Sequence, residues 1–182
     1  MARVGYVTTA EAQGDAREVF AKMEQRRSAI LNLHRAVANS PNALRNFIRL
    51  GNSLLVHGAL LPVLRELAIL RVGQITGASY EWAHHVPIAR QAGVGDEQIA
   101  ALSGWQTSPH FDDRERAVLR YIENVTSAVR VPDDVFREVR THLSEAEVVE
   151  LTLVAGYWGM VARLLVALEI DLEPSFVQHL PS

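Results

Sequence analysis

Glu66, Glu81 and His85 are the side chains whose types and spacing offer chemistry. Glu81 and His85 lie in the run T-G-A-S-Y-E-W-A-H-H (residues 76–85) and stand four apart, so on a helix they share a face. A carboxylate beside an imidazole fixes its tautomer and favours its protonated form, which suits a general acid/base pair. The plainer reading is a surface pair worth about 0.3 kcal/mol. Glu66 sits among Leu64, Leu67, Ile69 and Leu70. Burial there would favour a neutral carboxyl able to trade a proton, whereas at a helix surface it would pair with Arg65, Arg71 or another cation. His84 points about 100° away from His85 around a helix and is not expected to share its role. One of the two histidines is expected at solvent or at a subunit contact.

The candidate catalytic set is therefore Glu66, Glu81 and His85, with Arg71, Tyr80 and His84 as candidate substrate-binding residues. Arg71 is the best local cation for a substrate carboxylate, ahead of Arg90 and Arg163, although each also suits a salt bridge. Tyr80 and Trp82 are aromatics of a kind found more often in cores and interfaces than in substrate platforms. Glu66, Glu81 and His85 could in principle hold a divalent ion. The run is not H-E-x-x-H and no further histidine is near, so no metal and no cofactor is expected. His34, His57, His110, His142 and His179 are scattered without pattern. Ser79 reads as a helix cap and not a nucleophile, since no G-x-S-x-G elbow surrounds it. Gly73 and Gly77 suit close helix packing, not a phosphate loop.

The elements that must position these residues read as helices throughout; no stretch shows sustained alternation. Residues 10–27 predict a polar, exposed first helix, with Ala16, Val19, Phe20 and Met23 at helical spacing. A short helix over 32–38 ends at N-S-P-N, and Pro41 opens another carrying Leu44, Phe47, Ile48 and Leu55. Pro62 opens a helix that is apolar almost all round and should be central. Ser79 is expected to cap the next, and Pro87 to kink or break it just after His85. Gly93 closes it, and Asp96 starts a short helix. Residues 103–113 form the loop of note. Amphipathic helices follow over 113–129 and from Pro132, and Ser144 with Glu147 forms a capping box before a long apolar helix. E-L-A-I-L-R-V-G (66–73) and E-L-T-L-V-A-G (150–156) look related, as a duplicated helical unit or as coincidence between two buried helices. The fold class is all-α: a compact multi-helix domain over residues 1–182.

Composition narrows the functions. With 182 residues the chain can bury a real core, and 48% apolar with 21% charged residues is ordinary for a globular protein. A formal charge of -3 offers no general attraction to nucleic acid or to anionic membranes. No apolar run is expected to span a membrane, since Leu151–Ile170 is interrupted by Arg163 and Glu169. Nothing at the N-terminus reads as an export signal, so the cytosol is the default location. There is no cysteine, which removes disulfides, thiolate metal sites and thiol catalysis.

Residues 65–94, R-E-L-A-I-L-R-V-G-Q-I-T-G-A-S-Y-E-W-A-H-H-V-P-I-A-R-Q-A-G-V, resemble the core motif of the carboxymuconolactone decarboxylase and alkylhydroperoxidase D family. Its peroxidase branch carries a glutamate, then Cys-x-x-Cys, then a histidine after three intervening residues. On that pattern Glu66 matches the glutamate, Ala78 and Glu81 occupy the cysteine positions, and His85 matches the histidine. Tyr80-Glu81-Trp82 leading to His85 is similar to the decarboxylase-type branch, where a glutamate takes the second cysteine position. The close match covers about thirty residues (core motif 62–94). N-L-H-R-A-V-A-N-S-P upstream and the second Glu-Leu helix downstream are also similar to the group. The resemblance implies an all-helical, homo-oligomeric protein, trimeric or hexameric, with active sites near subunit contacts.

The function expected is acid/base chemistry on a small carboxylated lactone or similar metabolite, of the kind met in aromatic-ring degradation. His85 would shuttle the proton, Glu81 orient it and Glu66 act as a buried second acid or base. Peroxiredoxin activity would attach as a family label only, because the thiols are missing. The alternative is a non-catalytic oligomeric binding or scaffold member of the family. A metal-dependent hydrolase or oxygenase is the third reading. A small-molecule partner is expected, with no nucleic acid and no membrane.

Overall fold

Proline and capping side chains decide where the helices begin. In the computed structural model, which describes residues 1–181, Pro41 and Pro62 occupy the first turns of α3 (Pro41–Val56) and α4 (Pro62–Thr76), where a missing N–H costs little. Asp112 caps α7 (Asp113–Ala128): its carboxylate accepts the Glu115 N–H at 2.7 Å, and its own N–H donates to the Glu115 side chain at 2.9 Å. Ser144 and Glu147 do the same for α9 (Glu145–Ala167). The other helices are α1 (Gly14–Gln25), α2 (Asn32–Val37), α5 (Ser79–Ala92), α6 (Asp96–Ala101) and α8 (Asp133–His142). Two 3-10 turns cover Leu102–Gly104 and Pro174–His179. No strand occurs among the described residues, so the all-α expectation holds.

α4 has no polar face because it serves two cores at once. Leu64, Ala68, Ile69 and Val72 join the largest cluster, with Leu151, Val154, Ala155 and Trp158 of α9 and Val118 and Ile122 of α7. Leu67 and Leu70 turn to a second cluster with Trp82, Val86 and Ala89 of α5, closed by Trp105, Phe111 and Leu119. At roughly 2 kcal/mol for each fully buried large aliphatic side chain, this double burial makes α4 the central element, as its composition predicts. A third cluster joins α1 to α3 through Ala16, Phe20 and Leu44.

Four expectations need correction. The first helix is not simply exposed: Ala16 and Phe20 are fully buried, and it begins at Gly14 because Glu11 first folds back on Thr8 at 2.7 Å. Ser79 makes no capping hydrogen bond; Ala78 holds the cap position of α5. Pro87 does not break α5, which stays helical from Ser79 to Ala92. The backbone bond lost at the Ala83 carbonyl is offset by packing, since Trp82, Ala83, Val86 and Ala89 are all buried around it. Finally, α9 meets the length and composition of a membrane span, which the interruption was expected to deny it, but 56% of that stretch is buried inside the fold, as in a core helix. Glu150 and Arg163 lie within it without ending the helix, and Glu169 falls beyond its end.

Candidate active site

The site is built where α4, α5 and α9 meet. α4 and α5 are joined by a turn of two residues, with Gly77 in the left-handed region at φ 67°. They therefore lie side by side. They pack closely at Gly73, where a Cβ would stand in ordinary contact, 3.4 Å from Glu81 Oε1 and 3.5 Å from the Trp82 backbone nitrogen. α4 then supplies Glu66, α5 supplies Tyr80, Glu81, His84 and His85, and α9 supplies Trp158.

His85 is held at both ring nitrogens. Its Nδ1 lies 2.8 Å from Glu66 Oε2, and its Nε2 lies 2.9 Å from Trp158 Nε1. An indole nitrogen only donates, so Nε2 must be the unprotonated acceptor and Nδ1 carries the hydrogen toward Glu66. The geometry thus fixes a neutral imidazole beside a carboxylate. Glu66 is fully buried, and its other oxygen accepts from Arg65 Nε at 3.0 Å, which supplies the counter-charge. Glu66 is buried, as the first reading had it, and pairs with Arg65, the cation that the second reading named.

The expected Glu81–His85 pair is not formed. Sharing a helix face permits contact, but His85 turns to Glu66, nineteen positions away in sequence. Glu81 is buried, and neither of its oxygens has a hydrogen-bond partner among the described residues. Burial pushes its carboxyl well above the usual carboxylate range, because nothing compensates the charged form. Burial thus favours the protonated form of Glu81.

Both Glu81 and His85 line a cavity of about 660 Å³, in the range of small-molecule sites. Tyr80 and His84 line it too, but their polar ends are engaged elsewhere. Tyr80 donates its hydroxyl to Glu173 Oε1 at 2.9 Å, and His84 Nε2 lies 2.7 Å from Glu173 Oε2. The His84 ring is stacked between Tyr80 and Phe176, at 4.5 and 3.8 Å. Burial raises the Glu173 carboxyl, but bonds from His84, the Asn32 N–H and Tyr80 outweigh it and hold the group at about 2. Burial, reinforced by that carboxylate, pushes the Tyr80 hydroxyl up. Arg71 is not at the cavity. It pairs with Glu123 and Gln74 on the side facing the turn at Leu102. Arg90 pairs with Asp96 at 2.7 Å, and Arg163 donates to the Gly159 carbonyl.

Trp158, Glu173 and His34 escaped the sequence reading. Trp158 is hidden in an apolar helix, and Glu173 lies 89 positions from His84 with no motif around it. His34 lines the cavity; burial pushes it down to about 4, so it is neutral, and its Nδ1 accepts the Leu31 N–H at 3.2 Å. No group of three or more His, Cys, Asp or Glu suited to a metal occurs among the described residues.

Comparison with known proteins gives the same frame. The carboxymuconolactone decarboxylase family model matches residues 41–124. An uncharacterised Bacillus subtilis (strain 168) protein, YdfG, is 30% identical over 106 residues, covering 57% of this chain and 72% of that protein. The alkylhydroperoxidase D core of an uncharacterised peroxidase-related protein from Ralstonia eutropha JMP134 superposes with a TM-score of 0.84. It is 17% identical, covering 100% of this chain and 98% of the other. A debrominase solved as a cysteine-to-alanine variant with 2,3,4-tribromopyrrole gives a TM-score of 0.79 at 22% identity, covering 94% and 92%.

Proposed function

The chain belongs to the carboxymuconolactone decarboxylase family, and from that premise we propose that it is an acid/base enzyme acting on a small carboxylated lactone or related metabolite. The observation that carries this reading is a buried, unpartnered carboxyl, Glu81, whose protonated form burial favours, beside an imidazole, His85, whose Nε2 accepts a hydrogen bond, both lining one cavity. Loss of carbon dioxide from a carboxylated lactone leaves an electron pair on a dienolate-like carbon, which must then be protonated. Glu81 gives its proton to that carbon and is reprotonated from solvent. His85 accepts a proton at Nε2 when the substrate must lose one, exchanging its Trp158 bond to do so. Glu66 does not line the cavity; it positions His85 through Nδ1 and stabilises the imidazolium that forms. The roles expected of the two glutamates are thereby exchanged. Thiol peroxidase chemistry is closed to a chain without cysteine, whatever its structural neighbours do.

The test is turnover across a panel of carboxylated lactones and 2-oxo acids, for wild type, Glu81→Gln and His85→Gln. Each variant should lose about a hundredfold or more in kcat. Turnover that survives both changes sinks the proposal. One observation favours a second reading, a non-catalytic binding protein: Trp158 already occupies the His85 lone pair that a base would use. Failure of the wild type to turn over any member of the panel would favour it.

A further inference from the structure

The mouth of the same cavity carries a charge that the acid/base reading leaves unused. α1 and α3 form this mouth and bring Lys22, Arg26, Arg45 and Arg49 to the lining, while the buried floor includes Glu81, His85, Tyr157 and Trp158. Of the acidic residues on the lining, Glu81 is buried at the floor and Glu18 is engaged by Arg45 at 2.6 Å. Arg45 also pairs with Asp15. Lys22, Arg26 and Arg49 are exposed and make no ion pair among the described residues.

Helix electrostatics do not account for the whole cluster. Lys22 and Arg26 stand at the C-terminal end of α1, where the macrodipole favours cations. Arg49 lies inside α3, and Arg45 stands four residues before it on the same face, an arrangement of like charges that works against the helix. The excess of cations at one opening also contrasts with a formal charge of -3 for the whole chain. Between mouth and floor the wall is apolar, through Val19, Met23, Ile48, Leu55 and Ile88.

We infer that the cavity takes an amphiphilic organic anion, with a carboxylate other than the one lost held at the mouth by Lys22, Arg26 and Arg49 and the rest of the molecule reaching toward Glu81 and His85. This names the substrate class of the site proposed above and rests on that reading for turnover, though not for binding. It also replaces Arg71 with a cationic site that no local motif around residues 62–94 could reveal.

Calorimetric titration with octanoate, octanamide and octyltrimethylammonium tests it on the full chain. Wild type should bind octanoate about tenfold more tightly than octanamide, and the cation not at all. The exposed double change Arg26→Gln/Arg49→Gln should weaken octanoate about tenfold and flatten its salt dependence, leaving octanamide unchanged. Arg26→Lys/Arg49→Lys should keep octanoate within roughly threefold of wild type, because the charge remains at the opening. Equal affinity for octanoate and octanamide, no octanoate binding, or an unaltered neutral double variant each overturns the inference. Lactone turnover by wild type, set beside octanoate selectivity, separates the two proposals. If octanoate selectivity persists while no lactone is turned over by wild type, the acid/base reading fails and the anion site stands. If lactones are turned over with octanoate and octanamide bound alike, the anion site fails alone.

Discussion

At the scale of single residues, the two buried glutamates should behave differently. Glu81 has a raised folded-state value, so above the ordinary 4.5 the unfolded chain releases a proton that the folded chain keeps. Stability from this group is therefore lost as pH rises from 4.5 toward the folded value. Glu81→Gln removes the titration: its Tm should exceed that of wild type at pH 8 and match it near pH 4, by calorimetric melting. Glu66→Gln acts in the opposite sense. It leaves the Arg65 guanidinium buried without its charged partner and should cost about 3 kcal/mol in chemical denaturation. The identities of Glu66, Glu81 and His85 were legible in the sequence because their types and spacing were unusual. Their pairing was not. A four-residue spacing says which side chains share a face, but the rotamer His85 adopts is decided by what α4 and α9 press against it. Trp158 and Glu173 reach the site from distant parts of the chain, and only tertiary packing brings them there.

Elements were more legible than their ends. Prolines at first turns, capping boxes and glycines past helix C-termini are local signals, and they placed most boundaries within a few residues. Pro87 misled because a local penalty of about 3 kcal/mol is outweighed by burial on both sides of it, which no window of sequence displays. One helix end carries a conflict of its own. α7 stops on Val129, a β-branched residue in the left-handed region at φ 63°, with 84% of its surface exposed. Glycine takes that conformation freely and no burial is forfeited there. Val129→Gly should stabilise by about 1 kcal/mol, read as a Tm higher by roughly 3 °C, near the size expected for a chain of this length. A lower Tm would show that the valine is held by contacts that repay its strain.

The whole molecule is tied at its ends as well as at its core. Arg3 bonds Glu169 at 2.6 Å, Tyr6 donates to Asp171 at 3.0 Å, and Glu173 joins α2 to α5 beside the cavity. Acid should loosen these parts in two windows. His34 falls from 6.5 to about 4 on folding, so its contribution is complete above 6.5 and is lost as pH drops toward 4. Glu173 falls from 4.5 to about 2, so its contribution is lost only between 4.5 and 2. His34→Gln should erase the first decline in a stability–pH curve and Glu173→Gln the second; a single shared transition in both variants would contradict this. α4 has a consequence for time as well as for energy. Since it belongs to two hydrophobic clusters and abuts α5, α7 and α9, neither cluster can open while α4 keeps its place. Amide hydrogens from Leu67 to Val72 should then exchange with deuterium only through global opening, later than those of α1 or the turn at Pro174–His179. The residue that orients His85 rides on the slowest clock in the molecule.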